Sequence, residues 1–292
     1  MVLGAALALL RRRSGLEGIA AGLLTLLIAA WLYRGGAAPH PPDGPSRVLT
    51  LAVYNAKGED SRGDQSLDVW LRGVDADIVC LIDSPWGFAS SEDWIRARYP
   101  HSVEPEMGMW WPTVILSKHP LQAAPLSEAD EDTFSFAARR SVLIAPDGLE
   151  PFLLTAMHPL SPRTAETWRE SLVKTRREAT LIRAGRERLG VEAIAAGDFN
   201  STPAGRLHRL FHRTSGLRTR GSVFGDGTWP AWASPTVALP IDRVWASGGI
   251  GLGPVQVGPQ MQSDHRPILV ELRLREAPQA NSAPGPDDAD SD

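Results

Sequence analysis

The chain has 292 residues, a net charge of −4, 43% hydrophobic residues and 22% charged residues, which excludes a low-complexity or collagen-like protein. Residues 1–46 carry a net +2 and the residues after Arg275 a net −5, leaving −1 for the middle; so neutral a body lacks a basic footprint for a long nucleic-acid strand and weakens a nuclease reading. Cys80 is the single cysteine, so no intrachain disulfide exists, and its apolar surroundings suit a buried thiol.

Residues 18–33 carry no charge, lie between Glu17 and Arg34, and end in Trp31 and Tyr33. As a helix they span about 24 Å, slightly short of a bilayer core. Arg34 can snorkel, and the aromatic pair suits an interface. The triplet Arg11-Arg12-Arg13 stays cytoplasmic by the positive-inside rule, which sends the residues after Tyr33 to the other face. Residues 1–34 are therefore expected to be a membrane anchor with one span, the competing reading being a cleaved signal peptide. Residues 35–46, rich in Pro and Gly, read as a linker. Residues 276–292, rich in Pro, Ala and Asp, read as a disordered acidic tail. The remaining span, 47–275, has the length of one large domain.

Within it, apolar runs of strand length recur at 48–54, 77–82, 113–117, 141–145, 152–157, 191–196, 241–246 and 268–274, many β-branched and bounded by Gly, Pro or Asp. Helical stretches are expected at 67–74, 91–98, 164–189 and 204–212, the longest opening on Ser161-Pro162. Strand pairs with few helices point to two packed sheets flanked by helices rather than a regular βαβ series.

The informative residues stand at the ends of these runs. Asn55, Asp83 and His158 each follow one, Asp198 and Asn200 follow the sixth, Asp242 opens the seventh, and Asp264 and His265 precede the last. A single aspartate after a strand is usually a turn former or helix cap. So many at corresponding ends gather on one edge if the strands lie side by side. Carboxylate, amide and imidazole together are what metal-assisted hydrolysis of a phosphate ester requires.

The ordered set Tyr54-Asn55, Asp77-Ile78-Val79-Cys80-Leu81-Ile82-Asp83, Val114-Ile115-Leu116-Ser117, Met157-His158-Pro159, Gly197-Asp198-Phe199-Asn200, Pro240-Ile241-Asp242 and Ser263-Asp264-His265-Arg266-Pro267 resembles the endonuclease/exonuclease/phosphatase superfamily, specifically a bacterial membrane-anchored branch. The resemblance spans 47–275 and implies a four-layer α/β sandwich, two packed mainly antiparallel sheets flanked by helices, with the active site at one end of both. It implies that Asn55, Asp83 and Asp264 serve a divalent ion, Mg²⁺ or Mn²⁺, and that Asp198 orients or deprotonates the attacking water. Asn200 would hydrogen-bond the phosphate, Asp242 would hold His265 toward a phosphoryl oxygen, and His158 would add a second imidazole. The base is assigned to the pair Asp198/His265. Asp83 stands where the family usually has glutamate, shortening the reach by one methylene. The hard oxygens of Asp83 and Asp264 suit Mg²⁺, Mn²⁺ or Ca²⁺ over zinc.

Blander features are weighed beside these. His208 and His212 have chelating i, i+4 spacing, but Arg209, Leu210 and Phe211 between them lack the glutamate of a zinc protease motif, so an amphipathic helix is the simpler explanation. The bases of 163–189 interleave with Glu166, Glu170, Glu178 and Glu187 and read as a solvated face. Trp70, Trp94, Trp168 and Trp245 are expected in the core, and Trp86, Trp110, Trp111, Trp229 and Trp232 in loops, where they could stack on a base, grip a lipid face or pack beneath the loop. The expectation is a membrane-anchored, metal-dependent phosphoesterase acting on a phosphodiester outside the cytoplasm. The rivals are a nuclease, a phosphomonoesterase and a non-catalytic binding protein on the same fold.

Overall fold

The computed structural model describes residues 18–25, 43–57, 65–84, 87–104, 112–124, 126, 138–221 and 225–278. In chain order these form α1 (18–25), β1 (Ser46–Asn55), α2 (Gln65–Val74), β2 (Ile78–Ile82), α3 (Phe88–Ser91), α4 (Asp93–Arg98), β3 (His101–Val103), β4 (Val114–Ser117), β5 (Leu121–Ala123), β6 (Ala138–Ile144), β7 (Phe152–His158), α5 (Ala165–Leu189), β8 (Glu192–Asp198), α6 (Arg206–Ser215), β9 (Arg218–Thr219), β10 (Asp242–Ala246), β11 (Gly251–Val257) and β12 (Ile268–Arg275).

The strands make two six-stranded sheets, ordered β11-β12-β1-β2-β4-β3 and β5-β6-β7-β8-β10-β9. Each holds one parallel pair, β1–β2 or β7–β8, among antiparallel neighbours. The sheets are thus mixed and mainly antiparallel. All eight apolar runs are interior strands; β3, β5, β9 and β11, which no apolar run predicts, are the four edges.

Alternation along the central strands builds the layers. Leu49, Leu51 and Val53 of β1, with Ile78, Cys80 and Ile82 of β2, face the second sheet, where Leu154, Ile194, Ala196 and Val244 meet them. The intervening Ala52, Tyr54, Val79 and Leu81 pack on Leu67, Leu71 and Ile95 from α2 and α4. On the far side, Leu153, Ala193, Ala195 and Trp245 pack on Ala179, Ile182 and Phe211 from α5 and α6. Burial on both faces explains why these strands read as unbroken apolar runs. The thiol of Cys80 is fully buried, which pushes its pKa up to about 12.

α5 starts at Ala165, later than the Ser161-Pro162 signal. Thr164 is its N-cap: its hydroxyl accepts from the Thr167 N–H at 3.1 Å, and the Thr167 hydroxyl accepts from the Thr164 N–H at 2.8 Å. This reciprocal cap satisfies the amides of Thr164 and Thr167. Only residues 18–25 of the expected 18–33 span are described, as a helix; no helix among the described residues is long and apolar enough to cross a membrane. Trp86, Trp110 and Trp111 lie outside the described residues. Trp168 is half-buried on α5 rather than a core residue.

Candidate active site

Two parallel pairs and their antiparallel partners bring one edge together. β1 and β2 end at Asn55 and just before Asp83, β7 and β8 end at His158 and Asp198, and β10 begins opposite β8 with Asp242 in register with Asp198. β12 runs antiparallel to β1, with Val53 opposite Ile268, which places residues 263–266 beside Asn55. Ser263 fastens that segment: its hydroxyl donates to the Asn55 carbonyl at 2.7 Å and accepts from the His265 N–H at 3.1 Å.

The side chains form a chain of alternating acids and imidazoles. His158 Nδ1 donates to Asp83 Oδ1 at 2.9 Å. Its Nε2 stands 3.6 Å from Asp198 Oδ2, and His265 Nε2 stands 3.7 Å from the same oxygen. His265 Nδ1 then donates to Asp242 Oδ2 at 2.8 Å. Each imidazole therefore has its tautomer and orientation fixed by a carboxylate, leaving Nε2 turned to the shared centre. Asn55 Nδ2 donates to Asp198 Oδ2 at 3.1 Å, and the Asn200 N–H donates to Asp198 Oδ1 at 2.7 Å. The Asn200 side chain donates to the Pro159 carbonyl at 3.0 Å, which ties it to the chain just after β7.

Burial of this much charge moves the protons. Burial and the neighbouring Asp242 carboxylate push Asp198 up to about 6, against the pull of both imidazoles and the Asn200 N–H. For His265, burial opposes the charged ring, but Asp242, Asp198 and Asp264 outweigh it and raise its pKa to about 9. His158 is also raised: its burial is outweighed by Asp83 and Asp198, while the charge of His265 opposes it. Perturbations of this kind, clustered at one edge, mark a functional site.

Asp264 lies at the rim, one third exposed, and its Oδ2 receives Lys57 Nζ at 2.6 Å and Trp229 Nε1 at 3.0 Å. Burial opposes its ionised form, yet these two donors and the nearby imidazole hold its pKa below the usual value. Lys57 is not among the residues singled out from sequence; the available signal is a base two residues after a strand-end asparagine. Its N–H donates to Asn55 Oδ1 at 3.0 Å. Lys57, Asp83 and Asn200 have φ of 58°, 47° and 48°, so three of the four left-handed non-glycine residues among those described follow strand ends at this edge. Stored strain of this type concentrates where side chains must be aimed. Gly197 has φ 145°, and a Cβ there would meet the Met157 carbonyl oxygen at 1.9 Å, so glycine permits the close β7–β8 approach.

The candidate residues therefore converge. Asp83 bonds His158 through Oδ1, and Asn55 and Asn200 both bond Asp198. A divalent ion fits the donor set, because Asp242 Oδ1 and Asp264 Oδ1 are buried oxygens without a hydrogen-bond partner. Ligand atoms of Asp198, Asp242 and His265 also lie within 4.8 Å of one another and form a possible ion-holding group. Because His265 Nδ1 is committed to Asp242, that trio is better suited to moving a proton. His208 and His212 do not form a second centre: His208 packs on the Trp245 ring at 4.5 Å, with its pKa pushed down to about 3 mainly by burial, and His212 Nδ1 donates to the Leu217 carbonyl.

The fold recurs in solved structures. TDP2 from Caenorhabditis elegans is 16% identical, with 77% of this chain and 74% of that one covered at a TM-score of 0.57. A protein from Bacteroides vulgatus described as an endonuclease/exonuclease/phosphatase is 14% identical over 78% of this chain and 100% of that one, with a TM-score of 0.58. The 3′ phosphatase NExo from Neisseria, solved with a product DNA hairpin, is 14% identical over 76% of this chain and 98% of that one, with a TM-score of 0.56. No curated protein matches the sequence. Residues 52–265 match the Endonuclease/Exonuclease/phosphatase family, a span running from within β1 to the imidazole that Asp242 holds. On that match the chain belongs to this family and is a metal-dependent hydrolase acting on phosphoric ester bonds.

Proposed function

We propose that the enzyme hydrolyses a phosphodiester by direct attack of water on phosphorus, with Asp198 and His265 handling the protons. The observation that carries this reading is the approach of two imidazoles to one carboxylate oxygen, at 3.6 and 3.7 Å. Asp198, with a pKa near 6, is ionised at neutral pH and basic enough to take a proton from water. His265 stays charged up to about pH 9 and would donate toward a phosphoryl or leaving oxygen. His158, oriented by Asp83, would supply a second donor. Asn55 and the Asn200 N–H keep Asp198 in place.

A divalent ion, when bound, offsets the negative charge that builds on the phosphoryl oxygens. Asp264, Asp83 and Asn55 would hold it, and their oxygens suit Mg²⁺ or Mn²⁺. Asp264 would then be shared with the Lys57 ammonium. In the same reading, residues 1–34 tether the domain to a membrane, with the catalytic edge on the non-cytoplasmic side, supported by Arg11-Arg12-Arg13 before the apolar segment. An enzymatic reporter fused after Asp292 should be active outside the cytoplasm; activity only inside would overturn that topology.

The chemistry is tested with the full-length protein on plasmid DNA, RNA, a glycerophospholipid, a sphingolipid, and aryl phosphate mono- and diesters, with Mg²⁺, Mn²⁺ or EDTA. Metal-dependent cleavage of a diester, lost in Asp198→Asn, is the expected result. Turnover of monoesters alone would replace the diesterase reading. Unchanged turnover in Asp198→Asn would remove the site assignment.

A further inference from the structure

We infer that the hairpin loop at residues 225–240 seats the active site on a lipid surface, so that the phosphodiester taken is part of an amphiphile at an interface; this rests on the phosphodiesterase reading above. Eleven large apolar side chains are exposed among the described residues, and four belong to this loop: Trp229 at 37%, Trp232 at 77%, Val237 at 73% and Leu239 at 43%. Three more, Ile19, Leu23 and Leu24, lie on α1; the other four are Val48, Val69, Val173 and Leu189, scattered over β1, α2 and α5. Single exposed apolar residues are ordinary on a protein surface, whereas a concentrated patch marks a contact.

The loop is built to hold these groups outward. Trp229 and Leu239 pair as an antiparallel bridge, Trp229 N–H donating to the Leu239 carbonyl at 3.1 Å and Leu239 N–H to the Trp229 carbonyl at 2.6 Å. Further amide bonds, Gly227 to Pro235, Ala233 to Pro230 and Val237 to Ser234, brace the tip at 3.0, 3.0 and 2.9 Å. Gly227 sits so near the returning strand that a Cβ would meet the Ala238 carbonyl oxygen at 2.2 Å. Ala231, Ala233 and Ala238 face inward and are buried, so the small residues fill the interior and the large ones face solvent. That arrangement leaves a concentration of large apolar groups on the loop, which an apolar phase would cover.

The base of the loop is clamped to the catalytic edge. Trp229 Nε1 donates to Asp264 Oδ2 at 3.0 Å, the Ala231 N–H donates to the Asp264 carbonyl at 2.7 Å, and the Arg266 N–H donates to the Thr228 carbonyl at 2.9 Å. A surface that accepted Trp232 and Val237 would therefore lie next to Asp264 and His265. Tryptophan is suited to the interfacial zone of a bilayer. Tryptophan also stacks on nucleobases, but Val237 and Leu239 have no ring to stack, and residues 225–240 contain no lysine or arginine to hold a phosphate backbone. The composition thus favours lipid over single-stranded nucleic acid.

The test places a reporter on the loop tip. Cys80 is the sole cysteine and is fully buried, so Thr236→Cys in the full-length chain gives one accessible thiol for an environment-sensitive fluorophore. The labelled protein is mixed with phosphatidylcholine vesicles, with phosphatidylcholine/phosphatidylglycerol vesicles, and with a twenty-nucleotide oligothymidylate. A blue shift with vesicles, quenched by brominated phosphatidylcholine and absent with the oligonucleotide, is the expected result. Because the probe reads position 236, attachment through residues 18–33 alone does not register. Adding Trp232→Ser and Val237→Ser should raise the lipid needed for half the shift by about tenfold or more, with turnover of a soluble aryl phosphodiester unchanged. A shift with the oligonucleotide only would transfer the loop to nucleic-acid binding, and no shift with either would overturn the proposal. The two readings fail separately: a vesicle shift in a protein inactive on every diester removes the phosphodiesterase, and turnover without a shift removes the loop.

Discussion

Asp242–His265 and Asp83–His158 each bring an imidazole Nε2 toward Asp198 Oδ2, yet one pair is nearly sealed and the other is open. The His265 and Asp242 side chains are 7% and 0% exposed, against 21% and 6% for His158 and Asp83. The sealed imidazole has Asp242, Asp198 and Asp264 around it and is driven up to about 9. The open one is raised by Asp83 and Asp198 while the charge of its counterpart opposes it. Burial lowers the proton affinity of both rings, and the carboxylates around each, Asp242, Asp198 and Asp264 at His265 and Asp83 and Asp198 at His158, are what raise it. The sealed pair suits a permanent charge at neutral pH, and the open pair suits exchange with substrate and solvent.

Removing the sealed ring should break this division most severely. His265→Ala should lower kcat for a diester by about 10²–10⁴-fold with folding intact, and a rate near wild type would show that Asp198 works without it. Gly197→Ala strikes both pairs by parting β7 from β8 at Met157; it should cost about 2–4 kcal/mol of stability, read by denaturant unfolding. The pH profile of kcat/KM sharpens the comparison further. Activity should fall below about pH 6 as Asp198 takes up a proton, and above about pH 9 as His265 loses its own. Asp242→Asn should move the alkaline limb to lower pH, because it removes the strongest charge holding that proton, whereas Asp83→Asn should lower the rate by about tenfold and leave that limb in place. An alkaline limb that moved equally in both variants would mean the two pairs are equivalent. The smallest effect is expected from Lys57→Ala, which removes a positive charge beside Asp264. Half-maximal activation should then need about two- to fivefold less Mg²⁺, the scale of a partly exposed ion pair.

Legibility in the sequence followed burial. The central strands announced themselves because both of their faces are covered, so apolar residues run without interruption from Leu51 to Tyr54 or from Ile78 to Ile82, whereas β12 alternates and leaves Glu271 and Arg273 exposed. The edge strands β3, β5, β9 and β11 are paired on one side only and mostly short, and they carry little apolar pattern to read. Helix α5 was legible in extent but not in its first residue, which the hydroxyl exchange between Thr164 and Thr167 decides.

At the site, the sequence by itself determined which residues stand at strand ends: Asn55, Asp83, His158, Asp198, Asp242 and the 263–266 segment. A polar residue closing an apolar run has to sit where a strand leaves the core. Partnership was decided only by tertiary structure. That Asp83 takes His158, that Lys57 and Trp229 share Asp264, and that two imidazoles approach one oxygen of Asp198 depend on contacts between residues far apart in the chain, 143 residues for Asn55 and Asp198 and 207 for Lys57 and Asp264. The exposed Trp229, Trp232, Val237 and Leu239 belong to the same class. Sequence marks them as apolar, and only the paired backbone of the loop decides that they face outward. A local pattern fixes which face of an element is buried, whereas the meeting of charges across sheets, which sets the proton affinities here, arises when distant strand ends pack against one another.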